Sequence, residues 1–328
     1  MAAADRSEVM AEGSTHEYSR IIELPDEIDR IMAYEKPSAR DEYLRYRDDG
    51  QSTALPTIAY YYRKAVIADG AVYANGTFEA MATTDGLKRL VSKGQRENLS
   101  NQMLATSWVS EKYFGHWVTD GLGLELLAQQ SRSIPLGLKR AAWTHEAGYR
   151  ALVGMDLHRT AFARIEGLWL VDDQPMNQAR IDRMRELRRR IRAGAPASDR
   201  QQPVFMLRDG GATRNLTNQN YIAEKLARRG FRIVSPEKET VASLVQYLGA
   251  APLVISVEGS ALCHAALCMP QGGTMLAIQP PRRVTCIQKN NAEWAGLRMA
   301  HTVAHDEVDG FSVSEDRLMR VCDLISSS

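Results

Sequence analysis

Beyond Pro203 the sequence alternates strictly between short apolar runs that favour strands and amphipathic runs that favour helices. The strand-like runs are VFMLR, FRIVS, LVISV and TMLAIQ, and the helix-like runs between them are NQNYIAEKLARRG, ETVASLVQYLGA and SALCHAALC. Alternation at these lengths predicts a parallel sheet with helices on its faces. Ligands of such sheets bind at the carboxyl ends of the strands. Residues at those ends are therefore the first candidates for a functional site.

One such end carries the turn Glu258-Gly259-Ser260, directly after the run LVISV. Gly259 lets the backbone approach a ligand where a β-carbon would obstruct it. The amides of Gly259, Ser260 and Ala261 are expected at a helix N-terminus, which is an anion site suited to a diphosphate. The alternative is that Ser260 only caps the helix. Glu258 is expected either to hold a ribose or sugar hydroxyl or to be a turn residue facing solvent.

A second strand end supports the anion site. The run LRDGGATRNLTNQN places Arg208 at the end of a strand and Arg214 in a glycine-rich loop before a helix with Asn218 as its N-cap. In a doubly wound sheet this loop opens on the same edge as the glutamate-glycine-serine turn. Guanidinium groups bind phosphate oxygens bidentately. Together the two loops predict a nucleotide-diphosphate pocket, to which His264 contributes either a donor contact or only a core or capping side chain.

The part of the chain before Pro203 is less regular. The polar first 55 residues or so predict an extension packed on the following domain. RKAVIADGAVYANGTF is typical of a hairpin or meander, because Asp-Gly and Asn-Gly separate its β-prone runs. FGHWVTDGLGLELLAQQ predicts a helix with Trp117, Leu124 and Leu127 on one side.

An arginine-rich helix and a linker follow. Residues 177–192 predict a helix whose arginines form a solvated face, with phosphate contact as the alternative. The run AGAPASDRQQP then has the composition of a linker. A boundary at this linker gives an extension over 1–55, a first domain over 56–195 and a second over 196–328.

Composition excludes several classes of protein. A chain of 328 residues has room for two domains, and its net charge of +1 gives no bulk attraction to nucleic acid or to an anionic membrane. No apolar run has the length of a membrane-spanning helix, and the first twenty residues lack the apolar core of a signal peptide. The four cysteines have no zinc-ligand spacing and are expected to be reduced, mostly buried thiols. These features predict a cytoplasmic protein.

Two motifs in a fixed order resemble glycosyltransferase family 61 over roughly residues 60 to 310. The amino-terminal motif is SEKYFGHWVTDGLGLELL, and the second runs from RDGGATRN to AIQP. One departure matters, because Glu258 stands where the family usually has a histidine, so the histidine's role does not carry over. The positions that match the family are His116, Trp117, Asp120, Arg208, Arg214, Asn218, Gln246, Gly259, Leu262, Met269 and Pro270.

The resemblance implies an α/β protein of GT-B type, with two Rossmann-like domains facing across a cleft. It also implies an inverting, metal-independent transferase that uses no cofactor and moves a sugar from a nucleotide-sugar donor to an acceptor hydroxyl. A bacterial polysaccharide or its glycan precursor is the implied acceptor. Peripheral membrane association is left open.

Inverting transfer needs a base to take the acceptor proton and cations to stabilise the departing diphosphate. The candidates for the base are His116, Asp120 and Glu258. Asp120 lies four residues after His116, so both are expected on the same helical face, where the carboxylate would orient the imidazole. His116 as a core or interface residue is the alternative.

Two other acidic motifs are less suited to the chemistry. His145 and Glu146 are a weaker acid-base pair, expected to lie in a loop. Asp172 and Asp173 are expected to mark the end of a strand rather than a metal site. Two other functions remain open, a nucleotide-binding protein without transferase activity and a nucleotide-sugar hydrolase or epimerase.

Overall fold

The computed structural model describes residues 3–48, 50–68, 70–81, 96–194, 201–209 and 214–327. Its strands are β1 (Arg6–Ala11), β2 (Ser14–Glu17), β3 (Gln51–Ala54), β4 (Thr57–Ala68), β5 (Ala71–Ala74), β6 (Thr77–Ala80), β7 (Glu97–Leu104), β8 (Ile134–Leu138), β9 (His158–Thr160), β10 (Phe162–Asp172), β11 (Val204–Met206), β12 (Arg232–Val234), β13 (Leu253–Val257), β14 (Thr274–Gln279), β15 (Arg298–Val303), β16 (His305–Glu307) and β17 (Gly310–Ser312).

The helices are α1 (Pro37–Asp48), α2 (Trp108–Lys112), α3 (Phe114–His116), α4 (Leu122–Gln130), α5 (Glu146–Val153), α6 (Gln178–Ala193), α7 (Gln219–Arg228), α8 (Val241–Leu248), α9 (Ala261–Cys268), α10 (Ile287–Ala295) and α11 (Glu315–Ser327). A π-helical turn over Trp117–Gly121 joins α3 to α4. Among these helices of the described residues, none has both the length and the apolar composition needed to cross a membrane.

The described residues group into two compact units. Unit 1 comprises Met1–Thr15 and Thr53–Leu187, and unit 2 comprises His16–Ser52 and Arg188–Ser328. The change from unit 1 to unit 2 therefore falls inside α6, several residues before the predicted boundary. The predicted linker lies mostly on residues 195–200, which are outside the described part of the chain.

Unit 2 contains the predicted parallel sheet. Its order is β12-β11-β13-β14-β15, and every neighbouring pair is parallel. Counted along the chain this is the doubly wound order 2-1-3-4-5, in which the direction of winding reverses between the first and third strands. Helices cover the sheet, and its β-branched side chains are fully buried, as at Val254 and Ile255. The predicted alternation of strands and helices is confirmed here, and β15 extends it.

Most of the predicted amino-terminal extension packs on unit 2 instead of on the first domain. Ile22 forms a parallel bridge with Ala300 of β15. Tyr43 and Tyr46 of α1 are buried in one cluster with Cys286. The apolar side chains of α1 find their partners about 240 residues further along the chain, and local sequence does not specify such partners.

Unit 1 has a mixed sheet of order β6-β5-β4-β10-β7-β8-β9, with β1 also paired to β4. The pairs of β10 with β7, β7 with β8 and β8 with β9 are parallel, whereas β10 is antiparallel to β4. The implied Rossmann-like domain therefore describes only the parallel half. The other half is the predicted meander, whose turn at Asn75 and Gly76 has φ of +47° and +77°, as a tight hairpin requires. Asp69 of the preceding turn lies outside the described residues.

The solvated arginine face that the sequence predicts for α6 is only partly present: Arg185 and Arg189 are exposed, whereas three other arginines are buried. Arg180, Arg183 and Arg188 have 5%, 5% and 6% of their surface exposed. Arg188 donates to the carbonyl oxygens of Ala266, at 2.7 Å, and Met269, at the carboxyl end of α9. A cation is favourable there because it faces the negative end of the helix dipole. Burial, together with Arg192, lowers the pKa of Arg188 to about 10.

Candidate active site

The strand ends that carry the predicted motifs are neighbours in unit 2. Arg208 follows β11 and Glu258 follows β13, and these two strands pair in parallel from Val204–Val254 to Met206–Ser256. The reversal of winding lies between them, where doubly wound sheets bind ligands. The structure thus brings together the two loops that the sequence placed at one edge.

The backbone at Gly259 is approached closely by two arginine side chains. Gly259 has φ of +153°, and a β-carbon there would lie 2.8 Å from Arg208 Nη1 and 3.2 Å from Arg214 Nη1. Gln288 of α10 donates its Nε2 to the Gly259 carbonyl at 3.0 Å. From the sequence, the expected role of Gly259 is to leave room for a ligand near the backbone. The structure adds that the arginines themselves need the space.

Glu258 is not a solvent-facing turn residue, because only 2% of its surface is exposed. Its Oε2 accepts hydrogen bonds from Arg214 Nη1 at 2.5 Å and Arg283 Nη1 at 3.3 Å. A buried carboxylate needs such partners, since an unpaired charge is costly in the interior. Glu258 therefore joins two cationic side chains at the floor of the site.

Arg214 has an unusual backbone conformation. Its φ is +70°, a region that residues other than glycine seldom occupy and that is enriched at functional sites. Its Nη1 also donates to the Glu258 carbonyl oxygen at 3.1 Å. The glycines of the predicted glycine-rich loop are at 210 and 211, outside the described residues.

Arg208 is held through its backbone by Gln219 of α7. The Gln219 Oε1 accepts from the Arg208 amide at 2.9 Å, and Nε2 donates to the Arg208 carbonyl at 3.4 Å. Burial and the charge of Arg214 lower the pKa of Arg208. Both guanidinium groups lie beside Gly259, and an anion would stabilise two cations that are so close together.

Arg283 is a site residue that the sequence did not predict. It follows β14, the strand next to β13, and its Nη2 also pairs with Glu35. The segment around Glu35 bonds to the same loop, since the Glu35 amide donates to the Val284 carbonyl at 3.0 Å. The signal in the sequence was the pair of arginines after the strand-like run TMLAIQ.

The helix after the turn differs in detail from its prediction. Ser260 occupies the N-cap position of α9, but its side chain makes no capping hydrogen bond, so the capping alternative is wrong. Ala261 begins the helix as expected. His264 is 3% exposed, which fits the core role that the sequence left open, and its contact with a donor stays a prediction.

Asn218 lies at the N-cap position of α7 without acting through its side chain as a cap. Its Nδ2 donates to the Val313 carbonyl at 2.8 Å, and its Oδ1 accepts from the Val313 amide at 3.3 Å. Both polar ends of the amide are therefore used to fasten the start of α7 to residue 313. These bonds give Asn218 a structural role, and its contact with a donor stays a prediction.

The predicted pair of His116 and Asp120 is present in unit 1. The distance from His116 Nδ1 to Asp120 Oδ2 is 2.8 Å, and Asp120 Oδ1 also accepts from Arg180 Nη2 at 2.5 Å. The π-helical turn places both side chains on one side, and such turns are frequent at functional sites.

The charge of Asp120 follows from its neighbours. Burial alone would raise its pKa, but Arg180 and His116 outweigh burial and lower it. A carboxylate at this position accepts a hydrogen bond from the N–H of His116 Nδ1. In that tautomer Nε2 carries the lone pair of the ring, as a general base requires.

The weaker acidic candidates have structural roles. Glu146 begins α5 instead of lying in a loop, and His145 before it is buried. The carboxylate of Glu146 pairs with Arg140 at 2.9 Å, Arg150 at 3.0 Å and Arg159 at 2.5 Å. These arginines lower the pKa of Glu146 against the opposing effect of burial.

Asp172 ends β10, as predicted. Asp173 follows it, is buried, and accepts a hydrogen bond from Thr57 Oγ1 at 2.9 Å while pairing with Arg183. Across the described residues, no group of three or more histidine, cysteine, aspartate or glutamate side chains is arranged to hold a metal ion.

The fold of unit 2 defines a class, the α/β proteins with a doubly wound parallel sheet, and in this class ligands bind at the reversal point of the winding. Within that class, residues 114–276, about half of the chain, match the family model described as Glycosyltransferase 61. The chain belongs to glycosyltransferase family 61 and is a transferase of glycosyl groups. No protein among the curated proteins matches the chain.

Proposed function

We propose that the protein transfers a sugar from a nucleoside-diphosphate sugar to an acceptor hydroxyl, with inversion at the anomeric carbon. The observation that carries this proposal is the convergence of Arg208, Arg214 and Arg283 around the turn at Glu258 and Gly259. Three guanidinium groups lie near two carboxylates there, those of Glu258 and Glu35, so these cations outnumber the anions by one. A departing diphosphate is the group that such a site stabilises.

His116 is the proposed base. Its imidazole takes the proton of the acceptor hydroxyl, the oxygen attacks the anomeric carbon, and the bond to the diphosphate breaks with its electron pair staying on the phosphate oxygen. Asp120 holds the imidazole through Nδ1 at 2.8 Å and stabilises the imidazolium that forms. The proposal keeps the GT-B arrangement implied by the family resemblance, with the donor held by unit 2 and the acceptor by unit 1.

Glu258 has a different proposed role. Because its carboxylate is buried between two arginines, it is a positioning residue for the guanidinium groups instead of a base. The same arginines supply the charge that a divalent cation supplies in other transferases. This is the ground for proposing that the reaction does not depend on a metal.

A ligand screen followed by product analysis tests the function. Thermal stability is measured with a panel of nucleoside diphosphates and nucleotide sugars, and selective stabilisation names the donor. The stabilising nucleotide sugar is then incubated with and without a saccharide acceptor. A conjugate formed only with the acceptor supports transfer. Release of free sugar or of an isomer would identify a hydrolase or an epimerase, and stabilisation without any product would identify a nucleotide-binding protein.

A further inference from the structure

A short antiparallel hairpin follows β15 at the same edge of the sheet as the arginines. It consists of β16 and β17, with Val308 fully exposed near its tip. The hairpin lies outside the residues that match the family. It belongs to unit 2, so its contacts with the arginine-bearing loops are within one compact unit.

One side of the hairpin bonds to the chain directly after Arg214. The Phe311 amide donates to the Asn215 carbonyl at 3.0 Å, and the Thr217 amide donates to the Phe311 carbonyl at 2.9 Å. Asn215 Nδ2 also donates to the Asp309 carbonyl at 3.0 Å. These bonds fix the backbone immediately next to the positive φ of Arg214.

The other side of the hairpin bonds to the loop after β14. The carboxylate of Asp306 accepts from Arg282 Nε at 2.8 Å and from Arg282 Nη2 at 2.6 Å. This bidentate geometry fixes orientation as well as distance. Arg282 is bonded in the chain to Arg283, so this contact constrains the second arginine-bearing loop.

We propose that the hairpin His305–Ser312 is a positioning element of the diphosphate site, which holds the loops of Arg214 and Arg283 at the separation that a diphosphate requires. The inference rests on the proposed function. Loops that are already held in the binding conformation lose less entropy when the ligand binds, and affinity rises accordingly. Releasing the hairpin should therefore weaken diphosphate binding while the core of unit 2 stays folded.

Gly310 is the position at which the hairpin is released. Its φ is +150°, and a β-carbon there would lie 2.2 Å from the Asn215 carbonyl oxygen, so Gly310→Ala must separate the hairpin from that segment. Gly272 provides the matched control. It has φ of +79°, but nothing lies within 4 Å of its β-carbon position.

Asp306→Asn provides a second test that makes no change in the backbone. Its matched control is Glu315→Gln, because both carboxylates belong to side chains that are 25% exposed and both pair with an arginine. Glu315 pairs with Arg229 and Lys225 instead of with a loop that carries a site arginine.

The experiment is calorimetric titration of the full chain with inorganic pyrophosphate, together with the thermal midpoint of each variant. We expect Gly310→Ala to lower pyrophosphate affinity roughly tenfold or more and Asp306→Asn to lower it roughly threefold, with both controls at the wild-type value. Gly310→Ala and Asp306→Asn should lose more pyrophosphate affinity than their controls even where a variant and its control have the same thermal midpoint.

Unchanged pyrophosphate affinity in folded Gly310→Ala and Asp306→Asn, with weakened binding in Arg283→Ala, overturns the hairpin inference and leaves the proposed function standing. If Gly310→Ala does not fold, Asp306→Asn against Glu315→Gln decides alone. Failure of the wild-type protein to bind pyrophosphate, or unchanged binding in both Arg214→Ala and Arg283→Ala, overturns the proposed site and this inference with it.

Discussion

Replacing Arg214 by alanine tests the proposed diphosphate site most directly. The side chain contacts Glu258 twice, at the carboxylate and at the carbonyl oxygen. Without it, the buried carboxylate keeps the 3.3 Å pair with Arg283. The substitution therefore removes one cation and also leaves the negative charge of Glu258 less well compensated beside the proposed anion site.

The magnitude has two parts. Loss of a charge-assisted contact to phosphate costs about 1.5–3 kcal/mol, which is a roughly 10- to 150-fold loss of affinity. The less compensated Glu258 adds repulsion, so we expect a result in the upper part of that range. Neutralising it as well, in Arg214→Ala/Glu258→Gln, should restore affinity about tenfold relative to the single variant.

The assay is calorimetric titration of a nucleoside diphosphate into the wild-type protein, the single variant and the double variant. Arg228→Ala is the control, because that side chain is 69% exposed and pairs within α7 with Glu224. Wild-type affinity in a folded Arg214→Ala protein would remove Arg214 from the site. If the double variant binds the nucleoside diphosphate no more tightly than Arg214→Ala does, the charge of Glu258 does not compete with the ligand.

Three further results are expected. His116→Ala should lower turnover about 100-fold or more with donor affinity nearly unchanged, whereas Glu258→Gln should change donor affinity more than turnover. Steady-state kinetics and titration measure the two quantities, and the opposite pattern would reverse the roles of the two residues. Turnover should survive excess chelator, since arginines neutralise the leaving group, and a loss restored by added manganese or magnesium would contradict this chemistry. The pKa of Asp120 is lowered in the folded protein. Its pairing therefore stabilises the fold above about pH 4, and this stabilisation is lost as the pH falls through the folded-state pKa. The free energy of unfolding should fall less steeply with acid in Asp120→Asn than in the wild-type protein.

The local features of the site could be predicted from the sequence. The four-residue spacing of His116 and Asp120 places them on one side of a helical segment, and the 2.8 Å contact confirms it. Alternating strand and helix patterns predict which residues end a strand. In a parallel sheet all strand ends of one kind share an edge, so Arg208 and Glu258 were expected near each other.

Residues whose roles depend on distant partners could not be assigned in this way. Glu258 has the sequence context of an exposed turn, yet arginines 44 positions earlier and 25 positions later bury and neutralise it. Asn218 is of a residue type that often caps helices, yet its side chain donates a hydrogen bond to the backbone carbonyl of Val313. In both cases a tertiary contact replaces the local hydrogen bond or solvent exposure that sequence patterns describe.

Local patterns in the sequence determined the alternating strands and helices of unit 2, the hairpin turns of unit 1 and the helical segment that carries His116, because each of these depends on neighbours within a few residues. Tertiary structure alone decided that α1 packs with Cys286 on unit 2 and that Arg283 joins the site. It also decided that arginines of α6 become buried helix-end partners. The physical reason is that a periodic pattern determines which face of its helix or strand a residue occupies. The order in which the strands pair determines which distant side chains meet on that face.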